Sequence, residues 1–174
     1  MNMNVKFVKT PNIAGINFNE KPLQPSYMHM LPAGTIKPEG FLKSQLELMA
    51  NGMFGRLDEI SKFLEYSEDG WINPDSKSGW EEQPYWFRGY YLLAIQLQDK
   101  KLLEKAHKYI EGIRNSVCED GYFGPAAIKE VYGQNGEKAT DVWPQIVMMD
   151  ALIYHYEYTS ETWVLDVLLN FMRF

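Results

Sequence analysis

The feature that most constrains this chain is a recurrence, at roughly 60 residues, of a helix that is apolar around most of its circumference followed by a helix that is apolar on one side only. In the first unit a helix is expected from about Pro84, where Trp86, Phe87, Tyr90, Tyr91, Leu93, Ala94 and Leu97 leave little polar surface. After a short link, Leu103, Ala106, Ile110, Ile113 and Val117 form a stripe opposite Lys101, Glu104, Lys105, Lys108 and Glu111, which places the helix from about Lys100 to Val117 on a surface. In the second unit Thr140-Asp141-Val142-Trp143-Pro144 opens a mostly apolar helix through Ile146, Val147, Met149, Leu152, Ile153 and Tyr156, and Ser160 begins another. Buried and outer helices alternating in this way predict an all-α fold of stacked helical hairpins, a toroid or a solenoid.

The rest of the chain is read around these units. Residues 1–36, with Pro11, Pro22, Pro25 and Pro32 and no sustained period, are expected to form an extended amino-terminal arm, and residues 37–174 the hairpins. Pro38 is expected to open a helix with Leu42, Leu46, Met49 and Met53 on one stripe, followed by a second stripe of Leu57, Ile60, Phe63 and Leu64. In the last helix, from Thr162 to Phe174, only Asp166, Asn170 and Arg173 are polar beyond Thr162 itself, on one stripe. So wide an apolar face calls for a neighbour on each side, so further hairpins, or self-association through this helix, are expected to cover it.

Composition removes several function classes. A net charge of -6 with no local run of Lys and Arg disfavours nucleic acid. No stretch is apolar for the length of a membrane span, and the first residues carry no secretory signal. Cytoplasmic residence, or a periplasmic or secreted location after removal of a signal, are equally open. The single cysteine, Cys118, forms no internal disulfide and supplies no Cys-rich zinc site. His29, His107 and His155 show no metal-ligand spacing and read as structural or solvent-facing. Aromatic residues make up 14% of the chain, which suits a large core or a sugar-stacking cleft.

Several motifs then fall in a recognisable order. Leu31-Pro32-Ala33-Gly34-Thr35-Ile36-Lys37-Pro38-Glu39-Gly40 with Leu42, Gln45 and Leu46, and next Gly52-x-x-Gly55-x-Leu57-Asp58-Glu59, resemble the opening of the catalytic domain of glycoside hydrolase family 127, the β-L-arabinofuranosidases. Trp80-Glu81-Glu82-Gln83-Pro84-Tyr85-Trp86-x-x-Gly89, Asp120-Gly121-Tyr122-Phe123-Gly124-Pro125 and Asp141-Val142-Trp143-Pro144 are similar to further signatures of a branch of that family. The resemblance implies an (α/α)6-type toroid, incomplete in this chain, with a sugar pocket at one mouth. It also implies retaining hydrolysis of L-arabinofuranosides or related plant-polysaccharide sugars. Arabinofuranosidases of the family use a cysteine nucleophile in a zinc site of several cysteines and a glutamate, all in a later part of the barrel. None of that set is present here, so no cofactor is expected in this chain, and zinc would belong to the missing part if the family pattern holds.

The candidate sugar-binding residues are Trp80, Glu81, Glu82, Trp86, Asp141 and Trp143. In such a topology the loops that precede the buried helices emerge at one rim, so the segments around Glu81 and Asp141 are expected to converge. Carboxylates accept hydroxyl hydrogen bonds, and an aromatic face covers the C–H side of a sugar ring. The structural alternative for Glu81 and Glu82 is interaction with the positive end of the following helix. Two acids flanked by Trp80 and Trp86 exceed what that needs. For Asp141, helix capping and sugar contact stand level, and Trp143 reads first as core. Asp120-Gly121 reads as a turn with Gly121 at positive φ, and Tyr122 is expected to pack that loop across the rim. Glu81 and Glu82, adjacent in sequence, do not suit the two sides of one anomeric carbon, so the catalytic pair is expected in missing sequence.

The expected function is therefore the amino-terminal portion of a glycoside hydrolase, contributing part of the sugar-binding rim and inactive alone. Another (α/α)-barrel carbohydrate enzyme, such as a uronyl hydrolase, lyase or epimerase, is one alternative, since fold fixes no chemistry. A noncatalytic helical-repeat module docking a partner through Trp163, Leu168 and Phe171 is the other.

Overall fold

A computed structural model describes residues 30–64, 70–76 and 79–174. Most of the expected arm, including Pro11, Pro22, Pro25 and His29, lies outside the described residues. The fold is all-α apart from a two-stranded ribbon. In chain order it comprises α1 (Gly40–Asn51), a 3-10 turn (Phe54–Arg56), α2 (Leu57–Ile60), a second 3-10 turn (Lys62–Leu64), α3 (Glu82–Leu97), α4 (Lys100–Asn115), α5 (Ala126–Lys129), β1 (Val131–Tyr132), β2 (Lys138–Ala139), α6 (Trp143–Thr159) and α7 (Trp163–Phe171). The strands pair antiparallel, with Val131 opposite Ala139.

The expected repeat is visible in three dimensions. Trp80 bonds to Asp141, Arg88 to Asp150, Tyr91 to His155 and Tyr158 to Gln98, at sequence separations of 61, 62, 64 and 60. A separation that stays nearly constant while both partners advance means that α3 and α6 run in the same direction. An antiparallel pair would hold the sum constant instead. Both helices also end alike, on a left-handed residue, Gln98 at φ 54° and Ser160 at φ 62°. The outer helices α4 and α7 follow within a few residues. Asp99 starts α4 by accepting hydrogen bonds from the N–H groups of Lys101 (2.9 Å) and Leu102 (3.0 Å), a cap that contributes about 1 kcal/mol.

The core lies between inner and outer helices and is largely aromatic. Phe87 stacks on Tyr91 at 5.6 Å and packs against Tyr109 of α4 at 4.7 Å, while Phe123 meets Phe171 of α7 at 5.1 Å. Trp71, fully buried, joins the loop before α3 to this core through Phe123. The same loop presses on α4: a Cβ at Gly112 would lie 2.3 Å from the Trp71 carbonyl oxygen, so only glycine fits there.

The structure places the stripe of α1, and one expectation for α7 needs correction. The stripe on α1 is not core: α1 buries no residue, and Phe41, Leu42, Leu48, Met49 and Met53 are all exposed. The helix also begins two residues after Pro38, with Glu39 at its N-cap. In α7 the residues facing outward are Leu165, Leu169 and Met172, whereas Phe171 is buried and Trp163 and Leu168 are half-buried against the core. Residues 30–36, read from sequence as the end of the arm, pack on the inner helices, where the Ala33 N–H donates to Glu157 at 2.8 Å. Among the described residues no helix is long and apolar enough to cross a membrane.

Candidate functional site

Because α3 and α6 are parallel, their amino-terminal ends share one rim. The Trp80 indole N–H donates to Asp141 Oδ2 at 2.7 Å, and the Trp80 carbonyl accepts the Trp71 indole N–H at 2.9 Å. Trp80 is thus held at both backbone and side chain, yet 45% of it stays exposed. Asp141 has a second task. Its Oδ1 accepts the Trp143 N–H at 3.1 Å, forming the turn that delivers the chain into α6. Its two oxygens are therefore each engaged by one protein donor, and Asp141 orders the rim from both repeats at once.

Glu81 and Glu82 are different. Glu81 is the N-cap residue of α3 but makes no side-chain capping bond, and Glu82 occupies the first turn. Both are half-buried, and neither carboxylate has a hydrogen-bond or ion-pair partner among the described residues. Trp143, expected first as core, is 51% exposed at the start of α6. By the constant separation of the repeat it stands across the helix pair from Glu82. The structure thus brings Trp80, Glu81, Glu82, Asp141 and Trp143 to one rim.

Trp86 is not there. It is 4% exposed, its ring packs on Tyr90 at 4.7 Å and Tyr109 at 5.8 Å, and its indole N–H donates to the Phe54 carbonyl at 2.9 Å. One turn into α3, the helical period turns position 86 toward α4 rather than the mouth.

Beneath the rim two glutamines fasten the loops. Gln83 Nε2 donates to the Phe63 carbonyl at 2.7 Å, and Gln145 Nε2 donates to the Tyr122 hydroxyl at 2.9 Å and the Phe123 carbonyl at 3.2 Å. Each sits beside the proline at the start of its inner helix, Gln83-Pro84 and Pro144-Gln145, and that shared placement was the available sequence signal. The Tyr122 hydroxyl donates a hydrogen bond to the Pro125 carbonyl at 2.6 Å, and burial raises its phenol above the ordinary tyrosine range. The 120–121 turn is as expected. Gly121 has φ 95°, and Asp120 accepts the Tyr122 N–H and pairs with Lys129 at 2.7 Å, a hydrogen bond that holds the Asp120 carboxyl below its usual range.

Sequence reasoning also missed Tyr85, Arg88 and Asp150, which lie on the open side of the inner helices below the rim. Their signal was hidden inside mostly apolar runs. His155 is buried between Tyr91 and Glu161, and His107 is exposed on α4. Among the described residues no three His, Cys, Asp or Glu side chains come together as a metal-ligand group, and Cys118 is a free, half-buried thiol. The donor set present does not fit the multi-cysteine zinc site that the resemblance implies, so no chemical step is routed through zinc here.

The family model described as beta-L-arabinofuranosidase, GH127 catalytic domain, matches residues 30–174, the span that holds every element described above. No curated protein and no solved structure matches the chain.

Proposed function

This chain belongs to the GH127 β-L-arabinofuranosidase catalytic-domain family, a family of glycoside hydrolases, and from that premise we propose that it supplies the first hairpins and part of the sugar-binding rim of such an enzyme. The single observation that carries the rim assignment is the pair of unpartnered carboxylates, Glu81 and Glu82, beside an exposed indole that Asp141 holds in place. Carboxylates with no protein donor present acceptors to hydroxyl groups, and Trp80 and Trp143 offer faces to the C–H side of a ring. L-Arabinofuranosides or related plant-polysaccharide sugars are the proposed substrates.

The two catalytic groups of glycoside hydrolysis must flank the anomeric carbon. Glu81 and Glu82 leave the same end of one helix and do not meet that requirement, so their proposed role is to bind and orient sugar. The exposed apolar residues of α1 and of α7 support the wider proposal that residues 37–174 form part of a larger (α/α) toroid whose further hairpins cover those faces. Residues 1–36 would be its amino-terminal arm.

The test is titration of the chain with methyl β-L-arabinofuranoside, followed by NMR chemical-shift changes, for the native protein and for Glu81→Gln and Glu82→Gln. Shifts that saturate in the native chain and weaken in both variants support the rim assignment. Unchanged binding in both variants sinks it and leaves the family membership intact.

A further inference from the structure

About two helical turns, or about 10 Å, below the rim, an ion pair joins the two inner helices on their open side. Arg88 Nη1 of α3 lies 3.0 Å from Asp150 Oδ2 of α6, with the side chains 41% and 46% exposed. The Arg88 guanidinium also covers the Tyr85 ring at 5.2 Å, and Tyr85 is itself exposed. Tyr85, Arg88, Leu92 and Gln96 recur along α3 at helical spacing, turned away from α4.

This face has a closed end and an open end. At the carboxyl-terminal ends of the inner helices, residues 30–36 lie across it, fastened by the Ala33 bond to Glu157, and leave a groove of about 180 Å³ between Leu31, Ile36, Leu92, Gln96 and Tyr154. At the amino-terminal ends stand Glu81, Glu82 and Asp141. Arg88 and Asp150 sit between the two along the inner helix pair.

A half-exposed pair contributes little to stability, so its donors and acceptors matter more than its attraction. Beyond their mutual bond, neither Arg88 nor Asp150 has another hydrogen-bond partner among the described residues. Asp150 therefore presents a free acceptor beside the remaining N–H donors of Arg88. Adjacent hydroxyl groups of a sugar match that arrangement, one donating to the carboxylate and its neighbour accepting from the guanidinium. The pair carries no net charge, and the three carboxylates of the mouth lie within about a Debye length, 8–10 Å, of an entering ligand. A sugar bearing a carboxylate would be repelled at the mouth and would find the guanidinium already neutralised.

We propose that Arg88 and Asp150, with Tyr85 beside them, form a specificity element that binds vicinal hydroxyls of a neutral sugar and rejects uronates. The proposal rests on the rim being a sugar site, and it adds the residues that set substrate charge. The test measures binding of methyl β-L-arabinofuranoside and of D-galacturonate to the full chain by NMR titration, for the native protein, Asp150→Asn, Arg88→Gln and Arg88→Lys. Circular dichroism confirms that each variant is folded. The native chain should bind the neutral sugar at least about tenfold more tightly than the uronate. Asp150→Asn, which uncovers the Arg88 charge, should weaken the neutral sugar and strengthen the uronate. Arg88→Gln should weaken the neutral sugar without helping the uronate, and Arg88→Lys, which keeps charge but loses the planar fork, should fall between. Equal or tighter uronate binding by the native chain overturns the charge selection while the sugar rim stands. Neutral-sugar binding unchanged in all three folded variants removes the pair from the site. If neither sugar binds the native chain, the rim reading fails and this proposal with it.

Discussion

Trp80 and Asp141, 61 residues apart, are joined by an indole N–H that donates to a carboxylate oxygen at 2.7 Å, and this bond ties the rim of one repeat to the rim of the next. Asp141 simultaneously caps its own turn through the Trp143 N–H. One side chain therefore holds the Trp80 indole and the backbone turn that carries Trp143. Asp141→Ala should lower stability by about 1–2 kcal/mol, because it removes a charge-assisted bond at a half-exposed position together with the turn bond. Asp141→Asn should cost less, since the amide oxygen still accepts from one donor. Urea unfolding gives the stabilities, and the tryptophan emission of the folded variants should report a freed Trp80. Stability and emission both unchanged in Asp141→Ala would mean that the rim is not held by this contact.

For Glu81 and Glu82 the ordering of two effects separates binding from a helix-end role. Conversion to Gln keeps the shape and removes charge, so a lost carboxylate-hydroxyl contact should weaken sugar binding by roughly 1.5–3 kcal/mol. Loss of the favourable interaction with the start of α3 should change stability by only about 0.3–1 kcal/mol. Sugar titrations and thermal melts on the same samples decide between them. A lowered melting point with unaltered affinity would assign both acids to the helix end alone.

Gly112 offers a test of the packing beneath the rim. In an isolated helix, alanine in place of glycine would stabilise by about 1 kcal/mol. Here a Cβ would lie 2.3 Å from the Trp71 carbonyl oxygen and 2.7 Å from the Ile72 Cα, both backbone atoms with little room to move. Gly112→Ala should therefore destabilise the protein by about 1–3 kcal/mol. A variant more stable than the native chain in urea would show that the loop carrying Trp71 does not press on α4.

The hairpins were legible because their signal is a 3.6-residue period sustained over whole helices, and the burial of Phe87, Tyr90, Tyr91 and Ala94 against the exposure of Lys101 and Glu104 follows that period. Convergence of the Glu81 and Asp141 segments was legible too, since two units of equal length stack in parallel and bring equivalent loops together. Trp86 misled because motif density was weighed above helical phase: six residues past Trp80 it faces α4. Arg88 and Asp150 were illegible for another reason. Each is a lone charge in an apolar run, and only their pairing across 62 residues gives them meaning. The stripe on α1 predicted a helix but not its exposure, because period reports an apolar face without reporting what lies against it.

Acid sensitivity should centre on His155, which is buried where four elements meet. Tyr91 of α3 approaches its Nδ1 at 2.7 Å, Glu161 from the link before α7 approaches Nε2 at 3.3 Å, and the rings of Trp163 and of His107 on α4 pack against it. Facing a carboxylate, Nε2 carries the proton and Nδ1 accepts the Tyr91 hydroxyl. Burial is the largest influence on His155 and lowers its pKa below the ordinary 6.5, although Glu161 pulls the other way. A second proton would also force the Tyr91 hydroxyl to turn away from Nδ1. The folded state thus prefers neutral imidazole, and the unfolded chain takes up the proton first. Stability should be full above about pH 6.5 and should fall as the pH drops through the interval between that value and the lowered folded pKa. Glu161, held below its ordinary 4.5 by its hydrogen bond from Trp163, loses its contribution in a separate window beneath that. Urea midpoints measured from pH 8 to pH 5 should decline in the native protein, and His155→Phe, though less stable throughout, should show a flatter curve. A native midpoint that rises between pH 7 and pH 5.5 would show that attraction between imidazolium and Glu161 outweighs the cost of burying the charge.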